Sequence, residues 1–313
     1  AVELVEAVEQ SGKVYTYAEN YCYFAACQEM KRIYRKGDIG EFMHGEGEYV
    51  HDCTHIMPDI TYGDKTHWRY NTYSTFYCTH SLGPIVTITG LRPVKVVGFE
   101  TPGTEQGASL GGRAGSSAME IIQMSNGATV KSLHGGLKRE PWIPWYIIYG
   151  TKGMMESDRW HEGVGRVNLF LEGHELTETE ISYRPRRPME ALGSKLSKGH
   201  WGGDFYTMHY FIEKLLDRPD GQEVIDVYQA LDMGLPGILA YRSILNGNQP
   251  LEVPDFRNPQ VREQFRNDHW STYRNISPKE YLWPLCSHGS PEIPDSVYDK
   301  VRKMWEENEK NRG

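Results

Sequence analysis

The chain has 313 residues, 39% of them hydrophobic, enough for a sizeable buried core in one large domain or two small ones. Its 42 acidic residues outnumber its 34 basic ones for a net charge of -8, with the signs interspersed, so no basic stripe exists to neutralise nucleic-acid phosphates or an anionic bilayer. No apolar run approaches the roughly 20 residues that span a membrane, and five cysteines without Cys-x-x-Cys spacing (Cys22, Cys27, Cys53, Cys78, Cys286) point to reduced thiols in a cytoplasmic protein.

Ala1, Leu4, Val5 and Val8 keep a helical period that Gly12 stops, and "KVYTYA" then alternates as a short strand. An uncapped helix feeding a strand with no earlier partner reads as the tail of a preceding unit. A second helix carries Phe24, Cys27, Met30, Ile33 and Tyr34 on one face and ends at Gly37. "EFMHGEGEYVHD" alternates as a strand, residues 52–78 form a long polar and aromatic loop, and "HSLGPIVTITG" returns to helix.

From residue 92 to about 183 strand follows strand. "RPVKVVGFE" leads; "AMEIIQMS" and "ATVKSLH" flank Asn126-Gly127; "WYIIYG" and "GMMESD" flank Thr151-Lys152; "GRVNLFLEG" and "LTETEISY" flank a turn near His174. "GGRAGSS" (residues 111–117) reads as a glycine-rich loop. After a Pro- and Arg-rich loop at 184–199, three helices follow in "GGDFYTMHYFIEKLL", "EVIDVYQALDMGLPGILAYRSILNG" and "PDSVYDKVRKMWEENEKN". Helices before and after a run of hairpins predict an α+β fold, a large open, mainly antiparallel sheet with helices packed on one face. The other face needs a cover, and a second copy of the chain is the economical one, which predicts a homo-oligomer.

The chemistry-bearing residues gather before the hairpins. Thr79 can cap the helix of "TFYCTHSLGP", placing His80 in its first turn, where the helix dipole disfavours imidazolium, with Tyr77 one turn earlier as a phenol open to pKa lowering by a nearby cation. Such a pair can pass protons to and from a sugar hydroxyl. Glu19 and Asn20 follow the first expected strand; Tyr49 and His51, two apart, face one side of theirs, and Cys53 and His55 would join them if the strand ran on. No fourth ligand has recognisable zinc spacing, so no metal site is assigned. Arg69 is a planar cation suited to a sugar hydroxyl or carboxylate, and His200 precedes a helix with two glycines that permit close backbone approach.

"AENYCY", "MKRIYRKGDIGEFMHGEGEYVHD", "WR" before "YCTHSLGP", "YGTKGMMES" and "GHWGGDFYTMHYFIEKLL", in that order, resemble the Gfo/Idh/MocA oxidoreductases, and within them the NAD-dependent glycosidases of glycoside hydrolase family 109. The resemblance implies that residues 1–18 are the remnant of a dinucleotide-binding domain and 19–313 the substrate-binding and oligomerisation domain. It implies transient oxidation at sugar carbon 3 by NAD, loss of the now acidic carbon 2 proton, elimination of the aglycone, water addition and return of the hydride. Tyr77 and His80 match the acid/base pair; Glu19, Tyr49, His51 and Arg69, with His200, match positions that hold the sugar, and Asn20 one beside the cofactor. Cys78 and Ser81 stand where that branch more often has proline and glycine, which puts sugar specificity in question. A simple sugar or polyol dehydrogenase and a non-catalytic sugar-binding domain are the alternatives. With no glycine fingerprint opening a helix, this chain alone is expected to be inactive and to bind NAD weakly.

Overall fold

The computed structural model describes residues 1–160, 162–196 and 199–312. Nine strands form one sheet: β1 (Phe42–Val50), β2 (Pro93–Glu100), β3 (Ser117–Met124), β4 (Thr129–Gly135), β5 (Trp145–Gly150), β6 (Gly153–Ser157), β7 (Val167–Leu171), β8 (Ser182–Tyr183) and β9 (Leu251–Glu252). Their order is β8-β7-β6-β5-β1-β4-β3-β2-β9, and among the named neighbours only β1 and β4 run parallel. The sequence-level hairpins are present: Asn126-Gly127 joins β3 to β4, with Gly127 at φ 90°, and Thr151-Lys152 joins β5 to β6. Two meanders are thus stitched together through β1, which pairs with one on each side.

One face of the sheet is covered by helices. Cys78–Thr89 lies over β1, β4 and β5, and Val227–Leu245 lies over β2. Two glycines let these backbones touch: a Cβ on Gly47 of β1 would sit 1.9 Å from the Ser81 carbonyl oxygen, and one on Gly98 of β2 would sit 2.4 Å from that of Ala240. Leu82, Ile85 and Ile88 on the first helix and Ala240 and Met233 on the second are buried against the sheet's Val96, Ile122 and Val130. Each fully buried large aliphatic contributes about 1.5–3 kcal/mol of transfer free energy. Ala25–Lys36 packs beside Cys78–Thr89 and is stopped by Gly37 in the left-handed conformation at φ 83°, as its spacing predicts.

The opposite face carries Phe99, Ile121, Tyr149 and Phe170, all exposed, around a Lys131–Glu46 ion pair. Register puts Ile121, Lys131, Glu46 and Ile147 in one row across four strands.

Three sequence-level elements are corrected. "KVYTYA" forms no strand: the Tyr17 amide donates to the Ile225 carbonyl at 2.8 Å, a neighbour that is not itself a strand, so no ladder propagates. In "LTETEISY" a reciprocal capping box between Thr177 and Glu180 winds Glu178–Ile181 into a helical turn and leaves only Ser182–Tyr183 to pair with β7. The Pro- and Arg-rich stretch contains a helix, Glu190–Leu196, while its residues 197 and 198 lie outside the described residues.

Candidate active site

The parallel pairing sets the C-terminal ends of β1 and β4 side by side, with Tyr49 opposite His134. Beyond β1 the chain stays extended for one residue, the His51 amide donating to the Gly135 carbonyl at 3.0 Å. Tyr49 and His51 therefore share a side, and their side chains hydrogen-bond at 3.2 Å, Oη to Nδ1. The strand ends at Val50, so Cys53 and His55 do not extend the row. Among the described residues no three His, Cys, Asp or Glu side chains converge as a metal set.

The helix Cys78–Thr89 starts with Tyr77 at its N-cap, which puts His80 in the first turn; Thr79, expected as the cap, lies inside the helix. The His80 ring is held in an aromatic stack. Tyr21 lies parallel to it at 4.2 Å between centroids, Tyr77 at 5.4 Å, and Tyr49 meets it edge-on at 4.7 Å. Its Nδ1 is 2.7 Å from Oε1 of Glu19, which is only 2% exposed. The tautomer with its proton on Nδ1 donates to that carboxyl oxygen and leaves Nε2 free to accept. Glu19 was expected to hold the sugar; it is instead buried behind His80 and also accepts from the Tyr21 amide at 3.4 Å.

Burial pushes the Tyr77 phenol above its ordinary pKa, with the Arg69 guanidinium pulling against it, the reverse of the lowering expected from the sequence. Burial also raises Tyr49, and lifts the Cys53 thiol to about 11. Both phenols are hydrogen-bond donors at neutral pH. Burial, with His55 adding to it, holds the His51 imidazole below its ordinary 6.5. His67 is lowered in the same way by burial and Arg69. Between those lowered values and 6.5 the unfolded chain binds more protons than the folded one, so stability rises with pH in that window. Through these two histidines the unfolding midpoint is therefore expected to fall as the pH drops below 6.5, and His51→Gln to flatten part of that fall in a thermal scan across pH.

A cavity of about 240 Å³ opens beside the stack, with Tyr49, His51, Arg69 and Tyr77 in its wall. Arg69 comes from the 3₁₀ turn Trp68–Asn71, its guanidinium 4.2 Å over the Trp68 ring, and its buried Nε has no partner. Asn20 and His200 are close by but bind each other's neighbour: Asn20 Nδ2 donates to Asp204 Oδ1 at 2.7 Å, and His200 Nδ1 lies 2.9 Å from Asp204 Oδ2. His200 and Trp201 sit at φ 45° and 48°, a left-handed turn completed by Gly202 that brings the His200 ring within 6.2 Å of Tyr21.

Four side chains at this site went unread in the sequence. Tyr21 forms the floor under His80, Trp142 stacks on His51 at 3.8 Å, Trp201 meets Trp142 edge-on at 5.5 Å, and Arg113 reaches in from the glycine-rich loop. "EPWIPW" carried a signal, with Trp142 between two prolines just ahead of the strand that Trp145 opens.

Residues 97–263 match the model of the glycosyl hydrolase 109 C-terminal domain, more than half of the chain. A glycosyl hydrolase family 109 protein of Stenotrophomonas maltophilia (strain K279a) is 23% identical over 290 residues, 79% of this chain and 62% of the relative. An alpha-N-acetylgalactosaminidase of Tannerella forsythia is 22% identical over 306 residues, 82% of this chain and 63% of the relative. The chain thus spans about three-fifths of the length of these relatives. An inositol dehydrogenase homolog from Azotobacter vinelandii, complexed with NADH and myo-inositol, superposes with a TM-score of 0.61 at 13% identity, over 80% of this chain and 67% of that one. A levoglucosan dehydrogenase complexed with NADH and levoglucosan gives 0.59 at 15% identity, over 80% and 68%. The fold is that of the C-terminal domain of Gfo/Idh/MocA-type oxidoreductases, and by its matched domain the chain belongs to the glycosyl hydrolase 109 family.

Proposed function

We propose that this chain is the substrate domain of an NAD-dependent glycosidase, which opens the glycosidic bond by transient oxidation at carbon 3, elimination and water addition. The observation that carries the reading is the His80 imidazole, 2.7 Å from a buried carboxylate and packed against Tyr77 and Tyr49, which line the cavity together with Arg69. The described residues contain no glycine-rich strand-to-helix turn to cradle a pyrophosphate. The residue they would offer a nicotinamide is Asn20, whose side chain is tied to Asp204 at 2.7 Å. When bound, that cofactor supplies the hydride acceptor for carbon 3.

The chain's own residues do the proton work. A ketone at carbon 3 makes the carbon 2 proton acidic enough for a side chain to remove, and in this reading His80 Nε2 takes the role of base. Tyr77, kept protonated by its surroundings, donates a hydrogen bond to an oxygen that gains charge. Tyr49 and Arg69 hold hydroxyls, and Trp142 and Tyr21 wall off water. The complete protein is expected to release nitrophenol from a nitrophenyl glycoside without accumulating NADH. Stoichiometric NADH formation with no glycoside cleavage would instead mark a simple sugar dehydrogenase.

A second copy covers the open sheet face in this reading, because that face leaves four large apolar side chains, Phe99, Ile121, Tyr149 and Phe170, exposed around its central ion pair. Sedimentation equilibrium is expected to show an oligomer, and the double substitution Ile121→Glu with Phe170→Glu to yield monomers with the secondary structure intact. A monomeric wild type would overturn it.

A further inference from the structure

The cavity wall holds two cations with no counter-charge of their own. Three formally charged side chains line it: Asp52, Arg69 and Arg113. Asp52 is already engaged, by Lys138 and by the Thr54 hydroxyl at 2.7 Å. Among the described residues neither Arg69 nor Arg113 forms an ion pair with a carboxylate, and the buried Nε of each lacks a hydrogen-bond partner. Arg113 is positioned: one Nη donates to Asn71 Oδ1 at 2.9 Å and to the Tyr70 carbonyl at 3.2 Å. It thereby clamps the same 3₁₀ turn that presents Arg69, so the two guanidiniums are tied to one short piece of backbone. Burial, with Arg274 adding to it, depresses the Arg113 pKa, which records the cost of holding that charge there. A neutral sugar offers no charge to offset two partly buried guanidiniums, whereas a planar fork of N–H donors matches the oxygens of a carboxylate or sulfate.

We infer that the cavity selects an anionic glycoside, one whose sugar or aglycone bears a carboxylate or sulfate that Arg113 and Arg69 receive together. This rests on the sugar-binding reading above and names its substrate class. The test is isothermal titration of the complete protein with glucuronate and galacturonate, with glucose 6-sulfate and galactose 6-sulfate, and with glucose and galactose. The wild type is expected to bind at least one anionic member about 10- to 100-fold more tightly than its neutral parent, the size of a charge-assisted, partly buried hydrogen-bond pair. The uronate and sulfate arms show which anion the cavity takes. Arg113→Gln is expected to collapse that ratio towards one, and Arg113→Lys, which keeps the charge but loses the fork, to leave an intermediate ratio. Because Arg113 also clamps backbone, the salt dependence of the wild type supplies a readout free of folding effects: the charged sugar's affinity falls as ionic strength rises and the neutral sugar's does not. Equal affinity for charged and neutral sugars, or an anion preference that survives in folded Arg113→Gln, overturns the inference while leaving the sugar site standing. Binding of none of these sugars overturns both.

Discussion

Replacing His80 by asparagine is expected to lower glycoside turnover in the complete protein by about 10²–10⁴-fold, the usual worth of a positioned general base. Asparagine can still reach Glu19 with its amide, so the buried carboxylate keeps a partner and the fold is retained. What disappears is the basic nitrogen, since an amide cannot accept a proton at neutral pH. The loss is expected in kcat rather than KM, because His80 acts on the proton and Tyr49 and Arg69 hold the ring. Tyr77→Phe should lose less, its phenol being a donor to developing charge while the ring contact to Tyr49 at 5.5 Å is preserved. Steady-state kinetics with a nitrophenyl glycoside, compared with thermal unfolding of each variant, separates chemistry from folding.

The substitution expected to damage the molecule most lies under the site. Gly47→Ala places a methyl 1.9 Å from the Ser81 carbonyl oxygen and 2.8 Å from its carbon, atoms of backbone that no rotamer change can move. The helix must lift off β1 at the residue after His80, so both the Glu19–His80 hydrogen bond and the aromatic stack shift. The expected cost is about 3 kcal/mol, the upper part of the range for overpacked cores, with activity lost beyond what unfolding explains. Gly234→Ala is the control. It lies in the Val227–Leu245 helix with open space where its Cβ would go, so alanine is expected to be neutral or stabilising by up to about 1 kcal/mol. Denaturant unfolding of both variants checks the pair.

The sheet was legible because alternation and turn chemistry are local. Asn126-Gly127 marks a hairpin wherever it falls between alternating runs, Gly150 and Gly153 bracket the turn at Thr151-Lys152, and Gly12, Gly37 and Gly90 end their helices in the left-handed conformation only glycine adopts cheaply. Residues 13–18 carry the same alternation and form no strand, because a strand is defined by its neighbour and theirs is the Ile225 carbonyl. The parallel pairing of β1 with β4 was equally invisible, resting as it does on contacts more than eighty residues apart. At the site, Tyr77 and His80 stand out by spacing, but the residue that fixes His80 is Glu19, 61 positions earlier. A reading limited to the helix dipole sees only one of the two fields acting on that imidazole. Trp142 and Arg113 come from irregular segments whose place depends on tertiary folding alone.

The central claim is that His80 and Tyr77 open a glycoside by removing the carbon 2 proton of an oxidised sugar. Turnover of a nitrophenyl glycoside by the complete protein in deuterium oxide tests it. The released sugar is expected to carry deuterium at carbon 2, with exchange abolished in His80→Asn. Cleavage that leaves the original proton wholly in place at carbon 2 would contradict it.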